Sequence, residues 1–108
     1  MTTRSDEMKS KSYRDDLLQQ LKDPVEAAAY LDAALEGGDR SAFLLAVKDV
    51  ADANGGVTEI AKTAHLNRET LYRTLSDKGN PKLTSLDSIL HAVGLRLAIE
   101  PVSEARQG

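Results

Sequence analysis

The stretch from Gly56 to Leu75, GVTEIAKTAHLNRETLYRTL, limits the fold more than any other. It divides into two short helical patterns separated by a very tight turn. Ile60, Ala61 and Ala64 share one face of the first pattern, Leu71 and Leu75 share one face of the second, and Leu66 sits in the corner between them. The small Ala61 lets the second helix cross closely over the first, and Asn67 is a good N-cap for a helix beginning at Arg68. This spacing predicts a helix-turn-helix, two helices at roughly 90–120° joined by a turn of about 3–4 residues. Many such turns open with Gly, which adopts positive φ freely. Here the position holds His65, which tolerates the left-handed region better than a branched residue does. The alternative is a plain helical hairpin whose polar face does nothing.

The remaining elements follow in order. Residues 1–11 lack apolar periodicity and read as a flexible tail. Tyr13, Leu17, Leu18 and Leu21 predict an amphipathic helix ending before Pro24. Asp23 then caps a second helix with Pro24 at its first position, Glu26 placed to reach back to the capping amide, and Gly37-Gly38 as its stop. Asp39 caps a third helix, with Phe43, Leu44, Val47, Val50 and Ala51 as its apolar stripe, Phe43 as core anchor and Asn54-Gly55-Gly56 as terminator. After the loop 76–82, Thr84-Ser85-Leu86-Asp87 resembles a capping box that opens a last helix bearing Leu86, Ile89, Leu90 and Val93, stopped by Gly94.

The period then changes to two. Leu95, Leu97 and Ile99 alternate with Arg96, Ala98 and Glu100, as in a half-buried strand ended by Pro101. A lone strand has unpaired edges, so pairing with the same strand of a second copy predicts a dimer, with Leu95, Leu97 and Ile99 as its contact residues. The alternative is an extended tail packed on the last helix. One domain results, over residues 12–102: N-terminal helices at 12–38, the helix-turn-helix core at 39–94, and the strand at 95–102, with a frayed tail at 103–108.

Composition narrows the chemistry. A chain of 108 residues supports one modest core. The absence of Cys excludes disulfides and thiolate sites. His65 and His91 are the only histidines and fit no metal-ligand spacing, and the glycine pairs lack a phosphate-cradling pattern. Acid pairs such as Asp15-Asp16 sit on solvated faces, so the reading is a binding protein rather than an enzyme, with no cofactor and no metal. No leader or membrane span is evident, which predicts a soluble, cytoplasmic protein.

The net charge of −3 argues at first against a nucleic-acid partner. Its distribution changes that. Residues 1–47 hold six Lys/Arg against nine Asp/Glu, whereas residues 57–82 hold five (Lys62, Arg68, Arg73, Lys78, Lys82) against three (Glu59, Glu69, Asp77). On a helix in the major groove the N-terminal residues and those one turn on face the bases. That selects Asn67, Arg68, Glu69, Thr70 and Arg73, side chains able to pair with adenine, guanine or cytosine edges. Lys62, Lys78 and Lys82, with Thr58, are placed to meet phosphates. Tyr72 is equally suited to sugar-phosphate contact and to partial burial, and Arg68 and Glu69 have an ordinary solvated role as their alternative.

Taken together, DPVEAAAYLDAALEGGDRSAFLLAVKDVADANGG and VTEIAKTAHLNRETLYRTLSDKGNPKLTSLDSILHAVGLRL resemble the HigA-like addiction-module antidote proteins, antitoxins with an Xre/Cro-type helix-turn-helix. The similarity covers about residues 13–102. Its most specific pieces are residues 28–39 and 67–81, and His65 departs from the family's usual Gly. The resemblance implies an all-α, lambda-repressor-like bundle with extra N-terminal helices. It also implies two tasks: neutralising a small basic RelE/HigB-type mRNA-cleaving toxin, and repressing the operon by binding double-stranded operator DNA as a homodimer. The toxin would meet an ordered N-terminal portion, where Tyr30, Asp32, Glu36 and Asp39 are the expected contacts. Residues 13–39 carry Arg14 and Lys22 against seven acids, a balance of −5 that suits a basic partner. The competing readings are a stand-alone phage-type repressor and an interaction module that no longer touches DNA.

Overall fold

The computed structural model describes residues 13–76 and 78–102. The tails expected at 1–11 and 103–108 lie outside the described residues, as do residue 12 and Asp77. Six helices and no strand are found among the described residues: α1 (residues 13–20), α2 (Pro24–Glu36), α3 (Arg40–Ala53), α4 (Val57–Ala64), α5 (Arg68–Thr74) and α6 (Leu83–Ala92). None is long and apolar enough to cross a membrane.

The helix ends follow local chemistry. The Asp23 carboxylate accepts from the Val25 amide, that of Asp39 from the amides of Ser41 and Ala42, and the Asn67 side chain from the amides of Glu69 (2.7 Å) and Thr70 (3.4 Å). Each satisfies N–H groups that a helix start leaves without intrahelical partners. Two expected capping boxes do not form. Glu26 accepts from the side-chain amide of Gln20 at 2.8 Å instead of reaching back. Helix α6 begins before Thr84, with Lys82 at its cap and no side-chain cap bond, and Asp87 pairs with His91 at 3.4 Å.

The core is one cluster. Leu44, Val47, Val50 and Ala51 of α3 are buried with Leu21, Ala27 and Leu31 on one side and Val57, Ile60 and Ala61 of α4 on the other. Helix α4 packs on α3, α5 and α6. Leu71 and Leu75 anchor α5, and Ile89, Leu90 and Val93 anchor α6. Phe43, expected as the core anchor, is only half-buried at the edge of this cluster, and the deep position on α3 belongs to Leu44. Asn54 ties the N-terminal part down, its side-chain amide donating to the carbonyls of Val50 (2.8 Å) and Leu21 (3.3 Å).

The expected strand is absent. Residues 95–102 have no strand structure; Leu95 packs half-buried on the core, with its amide donating to the Leu90 carbonyl at 2.7 Å, but Leu97 is exposed and Ile99 fully so. A period-two pattern becomes a strand only where a ladder partner is at hand, and none of the described residues supplies one.

The turn between α4 and α5 is the tightest point. His65 adopts φ 58°, ψ 40°, the only non-Gly residue with positive φ among the described residues, and the amide of Leu66 donates to the Ala61 carbonyl at 2.9 Å. A left-handed conformation costs an L-residue roughly 1–2 kcal/mol. Further on, Gly79 is buried where a Cβ would collide with the Thr74 carbonyl, which is why no side chain fits there. His65→Gly is therefore expected to stabilise the chain by about 0.5–1 kcal/mol, the strain relieved less the entropy of a more flexible unfolded chain. Thermal denaturation checks this: a melting temperature a few degrees above the parent's is expected, and one below it contradicts strain at this turn.

Candidate functional site: a cationic helix pair and an acidic helix face

Two surfaces stand out. The first is built on α4 and α5. Burial of Leu71 and Leu75 turns the opposite side of α5 outward, so Asn67, Arg68, Glu69, Tyr72 and Arg73 are exposed and Thr70 is half-buried. Thr58 and Lys62 on α4, Lys78 in the following loop and Lys82 at the start of α6 are exposed as well. The expected cationic residues thus all reach solvent. Among the described residues none of Lys62, Arg68, Arg73, Lys78 and Lys82 forms an ion pair. The Arg68 guanidinium lies 5.7 Å from the centroid of the Tyr72 ring, one turn on, so Tyr72 steadies Arg68 by a cation–π contact while remaining half exposed. The side-chain oxygen of Asn67 is committed to the cap of α5.

Helices α4 and α6 start without a side-chain cap, at Gly56 and Lys82, unlike α2, α3 and α5. Beside the turn, an open cleft of about 330 Å³ between α4 and α6 is lined by His65, Asp87, Ser88 and His91 among others. No group of three or more metal-ligating side chains gathers among the described residues.

The second surface lies on the N-terminal helices. Asp32, Glu36 and Asp39 are exposed, with the Asp39 carboxylate also capping α3. Tyr30 is placed differently from an outward contact. Its hydroxyl donates to Asp49 Oδ2 at 2.8 Å, and Arg14 Nη1 donates to Asp49 Oδ1 at 3.2 Å, while Asp52 accepts from Arg14 and Lys48, each at 3.2 Å. Asp49 is the one buried charged residue among the described residues, and these two donors are what make its burial tolerable. The network clamps α1 and α2 onto α3. Sequence reading missed it; the signal was an Asp set in the apolar stripe beside Val47, Val50 and Ala51.

Burial, reinforced by the hydrogen bond to Asp49 and by its charge, pushes the Tyr30 hydroxyl up from 10.0 to about 12. The folded state holds this proton more tightly than the unfolded chain. Its contribution to stability is complete below pH 10 and is lost as pH rises through 10 to about 12. The Tyr30 phenolate signal, isolated as the ultraviolet titration of the parent minus that of Tyr30→Phe, is expected with a midpoint near 12. A midpoint at the ordinary tyrosine value contradicts the clamp.

The structure is a small helical one with exposed cations on a pair of short helices at one place and exposed acids on a helix at another. Comparison with known proteins fixes its family. A family model described as "Probable addiction module antidote protein" matches residues 11–101, most of the chain, and the chain belongs to that family. A Haemophilus influenzae (strain ATCC 51907 / DSM 11121 / KW20 / Rd) protein carrying the name "Uncharacterized protein" is 29% identical over 85 residues, 79% of this chain and 87% of the relative. No solved structure matches the chain significantly.

Proposed function

We propose that this chain is the antitoxin of a type II toxin–antitoxin module, neutralising a small basic RelE/HigB-type mRNA-cleaving toxin and repressing its own operon by binding operator DNA. Membership of the antidote family over residues 11–101 carries the reading. It implies a cognate toxin, and the acidic N-terminal helices suit a basic one.

The DNA half draws on the short helix pair. In this reading α5 enters the major groove, with Arg68 and Arg73 donating to guanine edges and Glu69 and Thr70 making further base contacts. Asn67 offers only its amide N–H groups, since its oxygen is spent on the cap. Thr58 at the uncapped start of α4 and Lys82 at that of α6, where free amides and the helix dipole favour an anion, meet phosphates together with Lys62 in the last turn of α4 and Lys78 in the loop before α6. A chain of net charge −3 attracts DNA weakly, so a homodimer spanning two half-sites supplies the affinity that one copy lacks. The exposed Leu97 and Ile99, continuing from the anchored Leu95, are among the exposed apolar residues available to that contact. Operator binding places the protein in the cytoplasm.

Fluorescence anisotropy on the DNA upstream of the gene tests the assignment. Arg68→Ala and Arg73→Ala are each expected to weaken binding by about 1–3 kcal/mol if they contact bases. Variants that both titrate like the parent refute the recognition-helix assignment.

A further inference from the structure

Helix α2 is apolar on both sides. Ala27 and Leu31 are buried beneath it, yet Val25 (74% exposed), Leu35 (58%), Ala28 and Ala29 face outward. A helix covered on one side ordinarily presents polar residues on the other. Helical spacing lines up Val25, Ala29, Asp32 and Glu36, with Ala28 and Leu35 beside them, and the short side chains of Ala28 and Ala29 leave a place that another backbone can approach closely.

The charge around the strip is net negative, with the exposed Lys22 and Arg40 just outside its two ends. From residue 23 to residue 39 the chain has five acids, Asp23, Glu26, Asp32, Glu36 and Asp39, and no Lys or Arg. That selects the occupant. Phosphate is repelled. A second copy docking by a two-fold axis would set acids against acids around the same strip, an arrangement that like-charge repulsion opposes. A protein surface with apolar side chains ringed by Lys and Arg is complementary on both counts.

We infer that the outward face of α2, centred on Ala29 and edged by Val25, Ala28 and Leu35, is the seat of the basic toxin, with Asp32 meeting its cations. This rests on the antidote reading above. It moves the contact from Tyr30, whose hydroxyl is held by Asp49, to the solvent-facing side of the same helix. Burial of the small apolar residues supplies the affinity, and the carboxylates speed and orient the encounter.

The test is calorimetric titration of the full chain with the protein encoded beside it, using the parent, Ala29→Arg and Leu35→Lys. Both substitutions are at exposed positions and introduce a positive charge facing a positive partner. Each is expected to weaken toxin binding about tenfold or more, with helical circular dichroism and affinity for the upstream DNA unchanged. If the parent binds the toxin and both folded variants bind it equally well, this face is not the seat and the antidote reading survives. If the parent itself does not bind, both fall together. If the substitutions instead dissociate a dimer of the chain and leave toxin binding unchanged, the face belongs to a second copy and the inference is overturned.

Discussion

The structure depends on the burial of one side of an eight-residue helix. Helix α4 is far shorter than the roughly 12–15 residues an isolated helix needs in water, and α5 is shorter still. Neither holds its shape alone. Val57, Ile60 and Ala61 are buried against α3, α5 and α6, and Ala61 at 3% exposure marks how closely the next helix approaches. Because α5 is anchored through Leu71 and Leu75 to this same cluster, the direction in which Arg68 and Arg73 point follows from the packing beneath. The strained turn at His65 survives for that reason: two packed helices fix both of its ends.

Much of this was legible because it is local. An Asp or Asn before an apolar run stabilises the helix start whatever the tertiary context, so the caps at Asp23, Asp39 and Asn67 stand where the sequence puts them. The left-handed turn at residue 65 was likewise visible, because a turn that short needs positive φ even without a glycine. The reach-back from Glu26 and the box at Thr84–Asp87 failed because long side chains have other partners: Gln20 lies beside Glu26, and His91 lies one turn from Asp87. Phe43 shows the same limit, since a stripe states which face turns inward but not which of its members lies deepest. The clamp of Arg14 and Tyr30 on Asp49 spans up to 35 positions, so a local window shows the Asp in its apolar stripe but not the partners that satisfy it. The alternation at Leu95–Ile99 was real, but alternation alone makes no strand without a partner.

Charge is divided unevenly along the chain, with a balance of −5 over residues 13–39 and an excess of Lys/Arg over residues 57–82. The N-terminal helices carry most of the acids, and the short helix pair with the loop behind it, despite Glu59 and Glu69, carries cations that no carboxylate among the described residues pairs with in an ion bridge. One frame, α3, lies under both, clamped to α1 and α2 by the Asp49 network and to α4 by apolar contact. A small chain can then offer two surfaces of opposite sign without either neutralising the other. In the proposed function the two surfaces take two partners, a cationic protein and an anionic nucleic acid, and the shared frame is the physical route by which one occupancy can influence the other.

Co-expression of the chain with the product of its neighbouring gene tests the central claim most directly, with growth and co-purification read together. The neighbour alone is expected to arrest growth, this chain to restore it, and the two to purify as one complex. A neighbour that is harmless, or that stays toxic and unbound in the presence of this chain, would contradict it.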